Sequence, residues 1–141
     1  MGMFPYDFFW CHIIDFPTIV AFEPGGTPFL FPEGEVPEAL PTRYAPVVAT
    51  AESVPLKEFL KLTKIPIILY YGDNIASAPS EEIGPDKWRS EMDIARKFVA
   101  AVNRHGGDAT LVHLPDTGIK GNTHFLMADT NNEEIAALMA A

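Results

Sequence analysis

The stretch that decides the fold is IPIILYYGD, residues 65–73, an unbroken apolar run that ends in a glycine and an acid. Continuous apolar runs of this length are typical of strands that are covered on both faces of a parallel sheet. Residues 18–22, TIVAF, have the same character, and residues 109–114 form a third run. We therefore predict a parallel sheet of about three strands over these ranges.

Helices are predicted between and around these strands. The clearest runs from Trp88 to Val102, where apolar side chains recur in steps of three and four, and it ends before two glycines. Strands that alternate with helices imply right-handed crossovers and an α/β fold. We also predict a buried helix over residues 3–14, a short helix after Pro55, and a closing helix with Thr130 and Glu133 at capping-box spacing.

Residues 24–55 break this alternation. They hold seven of the 13 prolines and follow neither the helical nor the strand period, so we predict an irregular, proline-rich excursion within a single domain. Long loops over a sheet commonly carry binding sites. The aromatic residues of the excursion are therefore candidates for the wall of an acyl or alcohol pocket: Phe29, Phe31 and Tyr44.

The composition excludes several classes of function. The chain has 141 residues, with 10 basic and 19 acidic side chains and a formal charge of −9. No basic stripe is available to neutralise phosphates, which argues against a nucleic-acid partner. No apolar run approaches the roughly 20 residues of a membrane-spanning helix. The single cysteine, Cys11, excludes an intrachain disulfide and a zinc site built from cysteines.

The side chains best suited to chemistry follow the predicted strands, where sites on parallel sheets are found. His124 lies after the third strand, and a histidine can take and return a proton near neutral pH. Glu23 follows the first strand, where a carboxylate could orient that imidazole. Asp73 follows the second strand and is an alternative acid. A structural role stays open for each: a surface or capping histidine, and two turn acids.

No nucleophile accompanies these residues in the sequence. None of the four serines lies in a G-x-S-x-G turn: Ser53, Ser77, Ser80 and Ser90. Cys11 lies among aromatic residues, where a thiol is usually an inert core filler. Four side chains that could hold zinc cluster in the sequence without a recognised ligand spacing: His113, Asp116, His124 and Asp129. We predict no metal and no cofactor.

Three motifs resemble a bacterial esterase branch of the α/β-hydrolases. Residues 22–25, FEPG, are similar to the V-E-P-G turn in which that branch carries its acid after the sixth strand. GNTH at residues 121–124 is similar to its G-N-S-H, and MADTNN at residues 127–132 is similar to its M-x-x-D-x-N-N. The resemblance covers residues 2–141 and is weakest over 28–54.

The resemblance implies a Ser-His-Glu triad that hydrolyses a small carboxylic ester, with His124 as general base and Glu23 as the residue that orients it. Residues 2–5 resemble the start of the helix that directly follows the nucleophile turn, which puts the serine just before Met1. We therefore expect residues 1–141 to be the C-terminal portion of one α/β-hydrolase domain, lacking its nucleophile and oxyanion hole. Its partner is then the missing N-terminal half, or a second copy that covers the exposed sheet edge.

The alternative interpretation is a non-catalytic α/β interaction module that binds through its sheet edge. A freestanding binding module has little reason to keep both Glu23 and His124 at strand ends. The two interpretations differ in whether the chain folds as a stable monomer without a partner.

Overall fold

A computed structural model describes residues 19–22, 28–42 and 51–140 of the chain. The described strands are β1 (Ile19–Phe22), β2 (Phe29–Pro32), β3 (Ala51–Val54), β4 (Ile67–Tyr71) and β5 (Ala109–His113). The helices are α1 (Leu56–Phe59), α2 (Ile83–Arg104) and α3 (Asn132–Ala140), with 3-10 turns at Leu60–Lys64, Leu114–Thr117 and Leu126–Ala128. The helix predicted over residues 3–14 lies outside the described residues.

The main sheet has three parallel strands in the order β1-β4-β5. Its central strand, β4, lies within the apolar run of residues 65–73, as that unbroken apolar character requires. Phe22 at the end of β1 is in register with Tyr70, and Tyr71 at the end of β4 with His113. The carboxyl ends of all three strands therefore meet at one edge, and the predicted parallel sheet is confirmed.

Apolar layers cover both faces of this sheet. Alternate side chains of β4 enter two separate clusters, because successive residues of a strand point to opposite faces. Leu69 packs in the cluster that contains the buried face of α2, including Ile94 and Val102. Tyr70 packs in the second cluster with Ile135 of α3. Two covered faces explain why the strands read as continuous rather than alternating apolar runs.

The excursion over residues 24–55 is more regular than predicted. β2 and β3 lie within it and pair in parallel as a second, two-stranded sheet. Phe29 and Phe31 do not line a pocket wall: they are buried and pack against Phe98 of α2, with ring centroids 5.1 and 6.2 Å away. The prediction for these two phenylalanines was wrong because an apolar segment next to a helix gains more by burial. Tyr44 lies outside the described residues.

The segment that follows β2 runs along α2 and is tied to it by polar side chains. Ser90 donates its hydroxyl to the carbonyl oxygen of Leu40 at 2.8 Å, and Lys97 donates to that of Glu38 at 3.1 Å. At the far end of the helix Glu35 bonds Arg104 and His105. These bonds fix the path of a proline-rich segment that has few backbone donors of its own.

The two longer helices end and begin close to the predicted positions. α2 ends at Arg104, as expected just before two glycines, and Gly106 has a φ of 88°, the left-handed conformation that commonly follows a helix. At Gly107 a Cβ atom would stand 2.5 Å from a methyl of Val102, so only glycine fits this close approach. α3 begins one residue later than the predicted capping box, because Asn131 rather than Thr130 precedes its first turn.

Within the described residues, no helix is both long and apolar enough to cross a membrane.

A carboxyl group lies buried on α2 without an ion-pair partner among the described residues. Glu91 of α2 is 1% exposed, and its Oε1 has no hydrogen-bond partner within the part of the chain that the structure describes. Burial raises the pKa of this carboxyl from 4.5 to about 7, against a smaller opposing contribution from the Lys87 charge. Glu91 is therefore buried in a form that prefers to keep its proton.

We predict that Glu91 makes the free energy of unfolding fall as the pH rises from about 4.5 to about 7. In that range the folded chain holds a proton that the unfolded chain has released, so each pH unit favours unfolding. The raised pKa corresponds to about 3 kcal/mol. Urea unfolding should show E91Q equal to the wild type near pH 4 and more stable by up to about that amount at pH 8.

The matched control is E133Q, because Glu133 is an exposed glutamate in the first turn of α3. Its stability profile should run parallel to that of the wild type at every pH. Parallel profiles for E91Q and the wild type would contradict the buried, protonated state of Glu91.

Candidate active site

The loop that carries His124 is fixed to the carboxyl end of β4 by Asp73. The backbone N–H of Asp73 donates to the carbonyl oxygen of Asn122 at 2.8 Å. In return, its carboxylate accepts the N–H of Gly121 at 3.0 Å. Gly121 has a φ of 83°, a conformation that glycine adopts without strain, and this turns its N–H toward the acid. The loop is thereby bound to the end of the central strand at a point two residues before His124.

Asn122 anchors the same loop from beneath. Its side chain is 1% exposed and donates to Asp129 at 3.0 Å and to the amide oxygen of Asn131 at 2.7 Å. Asn131 donates back to the Asn122 amide oxygen at 3.0 Å. The two asparagines thus form a reciprocal amide pair. Through this pair the residue that precedes α3 is joined to the loop that carries His124.

Asp129 closes the network on the residue next to His124. Its carboxylate accepts the N–H of Thr123 at 2.9 Å and the Thr123 hydroxyl at 2.8 Å. Burial acts to raise the pKa of Asp129, but the bonds from Thr123 and Asn122 outweigh it and the pKa is lowered, with a smaller contribution from His124. Asp129 is therefore held in the charged form that accepts these bonds.

The His124 ring itself is exposed and is held by aromatic contacts. It stacks on Trp88 of α2 with ring centroids 5.4 Å apart and planes inclined by 26°. Its second aromatic contact is with Phe125, and the centroids of these two rings are 4.2 Å apart. Among the described residues, no hydrogen bond to the His124 imidazole nitrogens is present. Both nitrogens are thus available to groups outside this part of the structure.

The two candidate acids differ in what the structure shows of them. The Asp73 carboxylate accepts the N–H groups of Gly121 and Asn74, which lower the pKa of Asp73. Its described contacts are those of a loop anchor. Glu23 lies outside the described residues, so its side chain is not placed. It follows Phe22, the last residue of β1, and β1 is the neighbour of β4 at the edge where His124 is held.

The sequence analysis found no nucleophile, and the serine positions agree with that. All four serines are described, and none bonds His124: Ser53 is in β3, Ser77 is exposed, Ser80 accepts the N–H of Glu82, and Ser90 donates to Leu40. Cys11 lies outside the described residues. Nor do the described histidines, aspartates and glutamates form a group of three that could hold a metal ion.

Two features of the site were not recognised in the sequence. The sequence analysis assigned Trp88 only to the buried face of α2, but its indole also stacks on His124. Its position near the start of α2 could have indicated this contact, because helices of parallel α/β folds begin at the carboxyl ends of strands and their first turns border the site. Asn122, Asp129 and Asn131 were noted only as parts of a motif. Nothing in their spacing predicts the amide pair.

Comparison with known proteins gives one informative similarity. The chain is similar to a solved structure titled "The Atomic Resolution Structure of a Novel Bacterial Esterase", with 31% sequence identity and a TM-score of 0.51. The similarity covers 63% of this chain and 26% of the esterase, so the chain spans about a quarter of that protein. No protein-family model matches the sequence, and no curated protein is similar to it. The fold is that of part of an α/β-hydrolase, as predicted.

We predict that N122A loosens the loop over residues 118–131. The substitution removes a buried amide, so that the Asn131 amide loses its reciprocal partner and Asp129 loses one of its three bonds to this loop, a loss of about 1–3 kcal/mol. Hydrogen exchange should become faster across this loop while β4 and β5 keep their protection. The control is N132A, because Asn132 is exposed and makes a single 3.3 Å bond to Met127. Unchanged loop exchange in N122A would contradict the anchoring role.

Proposed function

We propose that this chain supplies the general base and the orienting acid of a carboxylic ester hydrolase, and that the nucleophilic serine lies outside it. His124 is the base and Glu23 the acid. The observation that carries the proposal is the anchoring of the His124 loop at the carboxyl end of β4, next to the strand that Glu23 follows. The similarity to a bacterial esterase supports the reaction class.

In this mechanism His124 accepts the proton of a serine hydroxyl as the serine oxygen attacks the ester carbonyl. The same nitrogen then returns the proton to the departing alcohol. Glu23 accepts a hydrogen bond from the other imidazole nitrogen, which fixes the tautomer and stabilises the imidazolium. Asp73 is the less suitable acid because its carboxylate already accepts two backbone N–H groups.

The proposed partners follow from what the chain lacks. The substrate is a small carboxylic ester. The chain spans about a quarter of its esterase neighbour, so we propose that the serine and the oxyanion hole come from an N-terminal portion, on the same polypeptide or a second one. Residues 1–141 are then the C-terminal portion of a single domain.

One observation favours the second candidate, a non-catalytic α/β interaction module. β1 is at the edge of the described sheet, yet its side chains are buried: Ile19 is 4% exposed, Val20 3% and Ala21 2%. Buried side chains leave little apolar surface on this strand for a missing neighbour to cover. A stable monomer in sedimentation analysis would favour this candidate over a fragment of a hydrolase.

We predict that the 141-residue chain alone hydrolyses p-nitrophenyl acetate no faster than its H124N variant. Without a serine beside His124 there is no covalent intermediate to form, and any residual rate comes from exposed imidazoles in general. A fluorophosphonate probe should label none of the four serines, measured by intact mass. Stoichiometric labelling of any of them would overturn the proposal.

Separate substitutions of Glu23 and Asp73 test which of the two acids orients His124. In the protein completed by a segment with a G-x-S-x-G turn, E23Q should lower kcat by about 10⁴-fold, because the imidazole loses its orientation. D73N should cost far less, since its effect passes through the loop. A larger loss in D73N than in E23Q would reverse the assignment of the acid.

A further inference from the structure

The orientation of the His124 ring needs an explanation of its own. The hydrogen bonds of Asp73, Asn122 and Asp129 fix the backbone of the loop as far as Thr123. They do not reach the imidazole, which is exposed and receives no hydrogen bond from the described residues. A side chain on the surface otherwise moves between rotamers. Among the described residues, the side chains in contact with the ring plane are its two aromatic neighbours, Trp88 and Phe125.

Phe125 is poorly suited to hold the ring. It follows His124 in the chain, is 66% exposed, and belongs to the same loop. A neighbour that is itself free on most of its surface gives the imidazole little support. Its plane is also inclined by 44° to that of His124, so the contact is tilted and not stacked.

Trp88 has the properties that Phe125 lacks. Its indole is half-buried and lies on the second turn of α2, a 22-residue helix whose core face packs on the sheet. The first turns of this helix are tied down by the ion pair of Asp86 with Arg89 at 2.8 Å, both largely buried. The ammonium of Lys87 lies over the indole, 4.9 Å from the ring centroid. Trp88 is thus a fixed, flat surface.

We propose that Trp88 is a positioning residue for His124. Its indole face fixes the plane of the imidazole, so that the ring nitrogens, which lie in that plane at the edge of the ring, are held in fixed directions for the groups that exchange a proton with it. This role rests on the proposed function of His124 as a general base. With this role for Trp88, α2 helps to position His124 in addition to packing on the sheet.

The test is an NMR measurement on the full 141-residue chain, which needs no turnover. A proton held over an indole face is shifted upfield by the ring current, so the Cε1–H and Cδ2–H signals of His124 should lie upfield in the wild type. H124N assigns them by their loss. W88L should move both signals downfield, toward the positions of an unstacked histidine. W88F keeps an aromatic face and should restore part of the upfield shift.

The matched control is M92A, which removes a partly buried side chain one turn further along the same face of α2 and leaves the Trp88 indole in place. It should leave the His124 signals in place, which separates loss of stacking from general loosening of the helix. Unchanged His124 signals in both W88L and W88F would overturn the positioning role. That result would leave ester hydrolysis standing, whereas fluorophosphonate labelling of a serine would overturn ester hydrolysis and leave the stack intact.

Discussion

The carboxylate of Asp73 and the N–H beside it hold together the two parts of the chain that make the candidate site. Asp73 lies two residues after the end of the central strand, while Gly121 and Asn122 belong to the loop that leads to α3, 48 and 49 residues later. On the other side of this loop, Leu126 and Ile135 pack with Tyr70 in an apolar cluster. Such contacts bury apolar surface but are not directional, so they do not fix the orientation of the loop. The two hydrogen bonds of Asp73 therefore determine where the loop places His124.

Two kinds of interaction divide the task of orienting the histidine. The amide pair of Asn122 and Asn131, with Asp129 between them, makes the loop backbone rigid because every buried polar group in it has a partner. The aromatic stack on Trp88 then acts on the side chain alone. A proton-transfer group needs both, since its effect depends on the position of one nitrogen to within a fraction of an ångström. The unbonded imidazole nitrogens are what remains for chemistry.

The fold was predictable wherever an element is apolar on every side, and less so elsewhere. The residues of β4 are covered on both faces of the sheet, so the unbroken apolar run predicts the strand without any alternation of apolar and polar residues. β2 and β3 were missed because each has only four residues with prolines beside or within it, and because β2 is held by a helix that is distant in sequence, through the contact of Phe29 with Phe98. The start of α3 differs from the predicted capping box by one residue, which is within the usual uncertainty of a helix boundary. The position of His124 was recognisable from the order of strands and loops, while the role of Trp88 required the relative placement of a helix and a loop that lie far apart in the sequence.

The account depends on Glu23 and His124 meeting at the carboxyl edge of β1 and β4. The most direct measurement is the distance between the Glu23 carboxylate and the nearer imidazole nitrogen in a crystal structure of this chain. We predict a hydrogen-bond distance, about 2.6–3.2 Å, with the other nitrogen facing away from the sheet. A Glu23 side chain directed away from this edge, beyond hydrogen-bond reach of the imidazole, would contradict the assignment of Glu23 as the acid.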